Sequence, residues 1–391
     1  MLLITTSLVL LGWVAQLWLA LRIRAALPVL RDLPAPARDA WPTVSMVVPA
    51  RDEGLHVAAA LASKLSCGYP ALEVIAIDDR SADSTGALID RAAAADPRVA
   101  AVHITALPDG WLGKVHAMAR GLERATGAWV LLSDADVHVE PGALERIVAW
   151  AEAGAIDVVA VFPRIHAVSP LIDASLVATI RVLPLAGRAW RANDDASSIG
   201  VSVGAFTLVR REILVESDAL ANLKMEVADD VALGAYLKQR GARCRVLVGH
   251  GDVHLVFMDS VAALMRSADK GGGMMGFSLW RAAAFALLPT ALDVGVPALA
   301  IASGGAAALV GAAALAVATA THYVIVRHFD GPLRAVPLWP LGEALTGALT
   351  LRAGLRAWRQ QGVFWRRTFY PRAVLEAGRR LDVVSLRVSP P

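Results

Sequence analysis

The sequence predicts a mixed α/β domain built on a mostly parallel, Rossmann-like sheet, with transmembrane helices at both ends of the chain. Three observations carry this. Short β-branched runs alternate with segments of helical spacing between residues 44 and 133, the pattern of a parallel sheet covered on both faces. Successive strands end in polar residues, which places a ligand crevice at their carboxyl ends. Two long apolar blocks, 2–21 and 282–326, raise the hydrophobic share to 56% and the mean hydropathy to +0.52, too high for a purely soluble protein.

The first block is uncharged, long enough to cross a bilayer, and followed at once by Arg22 and Arg24. A signal peptide carries its positive charge ahead of the apolar core and a small-residue cleavage site behind it. The reversed order predicts an uncleaved anchor, residues 1–24, with the bulk of the chain on the cytoplasmic side of the inner membrane. Strands are expected at 44–48, 72–77, 99–104 and 129–133, and helices at 54–65, 84–94 and 114–125. Strands at 156–162 and 199–209, a helix at 224–238 entered through acids, and a strand at 243–248 complete a domain spanning 40–275.

Residues 282–326 suffice for two crossings, with Ser303, Gly304 and Gly305 as the turn. Arg281 and Arg327 at the two mouths put both ends on the cytoplasmic side. Asp293 falls in the first arm beside Pro289 and Pro297. A carboxylate at membrane depth points to function by default; an arm packed inward or lying in the interface is the equal alternative. Residues 336–351, with Glu343, Pro337 and Pro340, read as interfacial or re-entrant and close a membrane region at 279–351. The tail, 352–391, holds nine arginines against Glu376 and Asp382, interleaved with Trp358, Phe364, Trp365, Phe369 and Tyr370. Such a tail suits an anionic leaflet or an acidic substrate. A net charge of only +3 and the lack of a nucleic-acid motif argue against nucleic acid. Cys67 and Cys244 lack C-x-x-C spacing, so reduced, buried thiols are expected, with neither a disulfide framework nor a structural zinc site.

Chemistry is densest at 129–142, WVLLSDADVHVEPG, where a hydrophobic strand runs into Asp134 and Asp136. Side chains at i and i+2 of extended chain point the same way. Two carboxylates there suit a hard divalent cation that takes its other ligands from water and substrate phosphates. A lone D-x-D is more often a solvated loop. Here, however, Arg51, Asp52 and Glu53 follow the first strand and Asp78, Asp79, Arg80 and Ser81 follow the second, and this coincidence outweighs any single motif. Glu226, Asp229 and Asp230 lie where an ordinary helix N-terminus favours acids, and by themselves read as capping. Lys114 follows Gly113 at a predicted helix start, where phosphates bind readily. His250 and His254 read as structural.

Over roughly 43–249 the chain resembles membrane-bound family 2 glycosyltransferases of GT-A fold. The resemblance rests on VPARDE (48–53), DDRSADST (78–85), GWLGKVHAMARG (110–121) with SDADVH (133–138), and ADDVAL (228–233), in that order. It implies inverting transfer from a nucleotide-diphosphate sugar, with a UDP-sugar the expected donor and Mg²⁺ or Mn²⁺ the expected metal. By the same resemblance Pro49, Ala50, Arg51 and Glu53 line the nucleotide pocket, Asp78 and Asp79 lie on the donor side with Asp79 at the base or ribose, and Lys114 approaches the diphosphate. Asp134 and Asp136 hold the metal, Asp136 the more directly, and Asp230 is the catalytic base, with Asp229 standing where the family has Glu.

The Q-x-x-R-W motif of processive members is replaced by LMRSADKGGGM (264–274), where Arg266 and Lys270 could still meet diphosphate or acceptor. One sugar added to a lipid acceptor is therefore expected. The N-terminal anchor, the WLGK loop and the GVFWRRTFYP tail (362–371) look most like hopanoid-associated glycosyltransferases. Two other functions compete. A polyprenyl-phosphate sugar synthase would use an anionic acceptor that needs no deprotonation, and a non-catalytic membrane scaffold would have lost the carboxylates that are retained here.

Overall fold

The structure, a computed structural model, describes residues 1–35, 40–382 and 385–389. It comprises two compact units. A sheet unit contains Leu27–Arg164, Gly187–Leu255 and Gly378–Pro391; a helical unit contains Met1–Ala26, Ile165–Ala186 and Val256–Ala377.

The sheet unit is a GT-A-like α/β fold around eight strands: β1 (Val44–Ala50), β2 (Leu72–Asp79), β3 (Val99–Ile104), β4 (Trp129–Leu132), β5 (His138–Val139), β6 (Val158–Ile165), β7 (Thr207–Arg210) and β8 (Cys244–Leu255). Their order is β3-β2-β1-β4-β7-β6-β8-β5. The ladders β3-β2, β2-β1 and β1-β4 are parallel, the first two being the longest; β4-β7, β7-β6 and β8-β5 are antiparallel. All four residues of β4 are buried, as are Val44, Met46, Val47 and Val48 of β1. A near-continuous apolar strand belongs inside a sheet covered on both faces. Both cysteines are free and buried, as expected.

One predicted strand is much shorter than expected: of 199–209 only Thr207–Arg210 pairs in the sheet. The segment ahead of it lies against the helix Asp229–Gln239 through two glycines. A Cβ on Gly200 would fall 2.0 Å from the Gly234 carbonyl oxygen. Helix contact has replaced strand pairing, a tertiary choice that an apolar run does not announce. The helix predicted over 224–238 starts only at Asp229, and the last strand runs on to Leu255.

In the helical unit Leu2–Ala26, Leu279–Ser303 and Gly305–His328 are long and apolar enough to cross a membrane. Gly304 and Gly305 make the turn with φ of 74° and 61°, a backbone open to glycine at no steric penalty. The middle of the first arm, Thr290–Gly295, is a π-helix. Sequence reading assigned no role to Pro170–Ala186, which belongs to this unit. Its buried Asp173 and Arg181 hide its apolar character from a hydropathy scan. The expected boundary at 351/352 falls inside the helix Trp339–Gln360. Gly342, Gly347 and Gly354 of that helix meet Ala174, Ala286 and Ala282, close enough that a Cβ on any of them would collide. Small residues at helix contacts are how membrane helices approach one another. Beyond it, Gly362–Trp365 and Thr368–Pro371 form an antiparallel hairpin that pairs Phe364 with Phe369.

Candidate active site

Residues 133–137 leave the end of β4 with alternating burial: Ser133, Ala135 and Val137 are inside, Asp134 and Asp136 partly open. The chain turns at Ala135 and Asp136, where Val137 N donates to the Asp134 carbonyl at 3.4 Å, so a turn and not the expected extended chain leaves both carboxylates partly open. The loop is held from beneath by Lys64, on the helix Val57–Leu65. Its ammonium is wholly buried and donates to the Asp134 carbonyl at 3.1 Å and to the Val137 carbonyl. One turn of backbone around Asp136 is therefore wrapped on a single cation. Next to it the Ser63 hydroxyl donates to Val139 O at 3.1 Å and accepts from Val139 N at 2.9 Å. Burial pushes the Lys64 amine down to about 8, against the opposing pull of Asp136 and Asp134. Burial likewise raises Asp136, helped by the neighbouring charge of Asp134 and opposed by Lys64.

Sequence reading missed Lys64, although a signal was present. Val57, Ala60 and Leu61 mark the buried face of that helix, and position 64 completes the i, i+3, i+4, i+7 stripe. A lysine at a core position of an otherwise apolar face needs a partner inside the protein.

Lys114 stands in the first turn of the helix Gly113–Leu122, whose entry is fixed by Leu112 N donating to Lys224 O at 2.7 Å. Its Nζ lies 2.6 Å from Asp134 and 4.0 Å from Asp229. Burial by itself would lower this ammonium, but the charges of Asp134, Asp229 and Asp230 outweigh it and the pKa is raised. Asp229 and Asp230 open the helix Asp229–Gln239; its N-cap, Ala228, makes no side-chain cap, but Asp230 Oδ1 accepts from Val231 N at 2.8 Å, leaving Oδ2 toward the cluster. Glu226 accepts from Ala228 N at 3.3 Å just ahead of the helix, and its other oxygen accepts from Arg380 N at 2.8 Å and Leu381 N at 2.9 Å, tying down the C-terminal segment.

Gly204 closes the cluster. Its N–H points to Asp230 Oδ2 at 3.4 Å, and a Cβ there would sit 3.0 Å from Lys114 Nζ, 3.3 Å from Asp134 and 3.4 Å from Asp230. The absence of a side chain is what lets these three charges share one space. Ser202 donates to the Asp230 carbonyl and fixes the start of the helix. Lys114, Ser202, Gly204, Asp229 and Asp230 line one pocket whose far wall is apolar, from Met118 to Leu233.

The loops after β1 and β2 are fastened to each other. Asp52 N donates to Ser81 Oγ, Glu53 N to Thr85 Oγ1 and Gly54 N to Asp83, at 2.8–3.0 Å. Asp79 is buried and gripped by Arg80 at 2.7 and 3.0 Å, with Arg51 at 3.8 Å. A Cβ on Gly113 would lie 2.6 Å from Asp79 and 2.8 Å from Arg80, so this ionic group abuts the start of the Lys114 helix. Pro49 and Ala50 end β1 alongside Ile77 and Asp78. Asp78 is turned to the turn itself, accepting from Ser81 N at 3.1 Å and facing His103 at 3.3 Å. His254 stacks on its cross-strand partner His138 and meets Glu140 at 3.0 Å, which makes it part of the β5-β8 ladder. Lys270, in the helical unit, lies over the Trp365 ring.

Among the described residues no group of three or more His, Cys, Asp or Glu is arranged to hold a metal. The Asp134–Asp136 pair is an all-oxygen, two-carboxylate set, which fits a hard cation that keeps waters and substrate phosphates as its remaining ligands.

Residues 45–217 match the family described as glycosyl transferase family 2. Over 118 residues the chain is 36% identical to the succinoglycan biosynthesis protein ExoO of Rhizobium meliloti (strain 1021); the match is 30% of this chain and spans about a third, 32%, of that relative's length. In fold it is similar to the mannosyltransferase PcManGT from Pyrobaculum calidifontis, solved in complex with GDP-Man and Mn²⁺, with a TM-score of 0.51 at 20% identity over 92% of this chain and 99% of that one. The stretch 45–217 is thus similar to glycosyl transferase family 2, and the sheet unit has a GT-A-like fold.

Proposed function

We propose that this protein is an inverting, metal-dependent glycosyltransferase that moves one sugar from a nucleotide-diphosphate donor to a hydroxylated membrane lipid, of hopanoid or related type, at the cytoplasmic leaflet. The observation that carries the reading is the convergence of Lys114, Asp229 and Asp230 on one pocket, with Asp134, on the loop that also bears Asp136, 2.6 Å from the Lys114 ammonium.

Asp134 and Asp136 would hold the divalent cation, which when bound neutralises charge on the leaving diphosphate. Lys114 supplies a second, fixed positive charge. Its pairing with Asp134 keeps it ionised, so it can meet a phosphate oxygen with no reorganisation. Asp230 takes the proton of the acceptor hydroxyl, a poor nucleophile until a carboxylate does so. It is more open than Asp229, which is only 7% exposed and faces Lys114, so the acceptor proton goes to Asp230 while Asp229 steadies the lysine. One direct attack on the face opposite the diphosphate inverts the anomeric centre. Arg51, Glu53 and Asp79, beside Pro49 and Ala50, lie on the nucleotide side. The three apolar helices and the arginines at their mouths, Arg22, Arg24, Arg281 and Arg327, support a membrane acceptor reached from the cytoplasm.

Thermal unfolding of the detergent-solubilised protein with Mn²⁺ and a panel of nucleotides tests the donor site. A UDP-sugar is the first candidate, with GDP-mannose beside it because the similar fold was solved with it. A ligand that binds only the folded state raises stability by mass action. Selective protection by one nucleotide, lost in Asp136→Ala, is the expected result. No protection by any nucleotide sugar would overturn the reading.

A further inference from the structure

The helix Trp339–Gln360 runs antiparallel to the apolar arm Leu279–Ser303. Its Gly347 meets Ala286 and its Gly354 meets Ala282, so residue numbers rise along one helix as they fall along the other. One further turn, at a rise of about 1.5 Å per residue, brings Trp358 level with the first residues of the arm. Trp280 stands there, 82% exposed, and Trp358 is 44% exposed.

The hairpin Gly362–Trp365 and Thr368–Pro371 follows directly. Val363 and Tyr370, opposite each other across the strands, are buried, while the next pair, Phe364 and Phe369, is 51% and 39% exposed with ring centroids 4.9 Å apart. The inward face is seated on the chain just ahead of the same arm. A Cβ on Gly273 would lie 3.1 Å from Val363, and one on Gly276 3.0 Å from Arg281. The outward phenyl pair thus stands at the end of the helical unit where the arm begins, the same end as Trp280 and Trp358.

Two features set this face apart from an ordinary exposed turn. One is the gathering of exposed aromatic rings at the mouth of a membrane-length helix, the place of an interfacial belt. The other is charge. From 352 to 377 six arginines stand against Glu376 alone. Glu376 is met by Arg372 at 3.0 Å, and Asp269, from the helix Val261–Gly271, by Arg352 and Arg356 at 2.6 and 2.7 Å. Arg366 and Arg367, both exposed, form the hairpin turn, and Arg366 holds a φ of 54°, where glycine or asparagine is the ordinary choice. A neutral bilayer would take the rings and leave the arginines uncompensated. A soluble polyanion would meet the charge and leave the rings at the mouth of the arm without an apolar phase.

We propose that the outward face of this hairpin, with Trp280 and Trp358, docks into the headgroup layer of a bilayer rich in anionic phospholipid. Phe364 and Phe369 enter below the phosphates, and Arg366 and Arg367 bind them. The proposal rests on the reading of the apolar helices as membrane spans and goes beyond the transfer reaction, since it gives the bulk lipid a role separate from that of the acceptor.

The test uses the full-length protein in nanodiscs of phosphatidylcholine alone or mixed with phosphatidylglycerol, digested with trypsin, because Arg366 and Arg367 are themselves cleavage sites. Cleavage at the hairpin, scaled to cleavage in the sheet unit of the same sample, should be slower by about tenfold or more in the anionic discs, the worth of two arginines at an anionic surface. High salt should remove most of the difference by screening. Phe364→Ser with Phe369→Ser keeps both trypsin sites and the buried Val363 and Tyr370, and should lose most of the protection. Equal cleavage in neutral and anionic discs overturns the proposal and needs no variant to fold. Protection that already exists in lipid-free detergent and grows with protein concentration overturns it too, by making the partner a second copy. A folded double-serine protein that stays fully protected removes the rings from the docking face. Mn²⁺-dependent nucleotide protection should be alike in both discs; its failure in both would strike the proposed function and spare the hairpin. Release of the chain from membranes by alkaline carbonate would strike the reading of the spans, and this proposal with it.

Discussion

Each unit holds a cluster in which one basic side chain faces more than one carboxylate, and the two clusters differ in how far water reaches them. Lys114 and Asp134, 2.6 Å apart, keep 22% and 36% of their side-chain surface open. Arg181 and Glu343, 3.0 Å apart, keep 8% and 6%. Where water enters, a ligand's charge can enter too, and the cluster can exchange its own ion pairs for those of a diphosphate and a cation. Where burial is nearly complete, a missing partner leaves a charge with no compensation. Basic and acidic side chains therefore serve exchange in the sheet unit and cohesion in the helical unit.

Substitutions can break this comparison. The largest effect is expected at the open cluster. Asp230→Asn should lower transfer to a hydroxylated lipid by about 10²–10⁴-fold in kcat, with the thermal midpoint nearly unchanged. Full activity of that variant would remove Asp230 as the base. At the closed cluster the pattern reverses. Arg181→Met takes the one nearby cation from the buried Glu343 and Asp293 pair, and should cost about 3–5 kcal/mol, read as loss of folded protein on heating in detergent. A variant as stable as wild type would show that the cluster does not hold the helices together.

Lys64 lies between these extremes, fully buried like Arg181 yet attached to the open site. Lys64→Met keeps the packing volume and removes both loop hydrogen bonds. The Mn²⁺ concentration for half-maximal activity should rise about 10–100-fold, as is usual when a ligand's support is removed. A uniform fall in kcat with unchanged metal dependence would reduce Lys64 to a packing residue. The smallest effect concerns acid stability of the sheet unit. Burial would raise Glu73, but hydrogen bonds from Ser45, Thr126 and Gly127 outweigh it and hold the carboxyl below its ordinary value of 4.5. Its stabilisation is therefore complete above that value and lost as pH falls through the lowered one. Glu73→Gln should be less stable at neutral pH and flatter below pH 4.5, as followed by circular dichroism during acid titration. An unaltered acid profile would contradict the assignment.

Much of this was legible in the sequence because it is local. A buried apolar strand running into SDAD puts Asp134 and Asp136 just past a strand end, although the structure turns the chain there instead of extending it, and an apolar stretch flanked by arginine predicts a membrane helix with no knowledge of its neighbours. The order of polar strand ends, from Arg51 through Asp79 to Asp136, was equally readable, because a parallel sheet aligns the carboxyl ends of its strands. What the tertiary structure decided is which distant groups meet. Lys64 reaches the carbonyls of residues seventy positions away, Gly204 leaves the space in which Lys114, Asp134 and Asp230 assemble, and Arg181 finds Gln16 and Glu343 from opposite ends of the chain. Periodicity reports which face of a segment is buried and says nothing of what it is buried against. The partners of a buried charge are set by packing between elements, and that is where the sequence stops speaking.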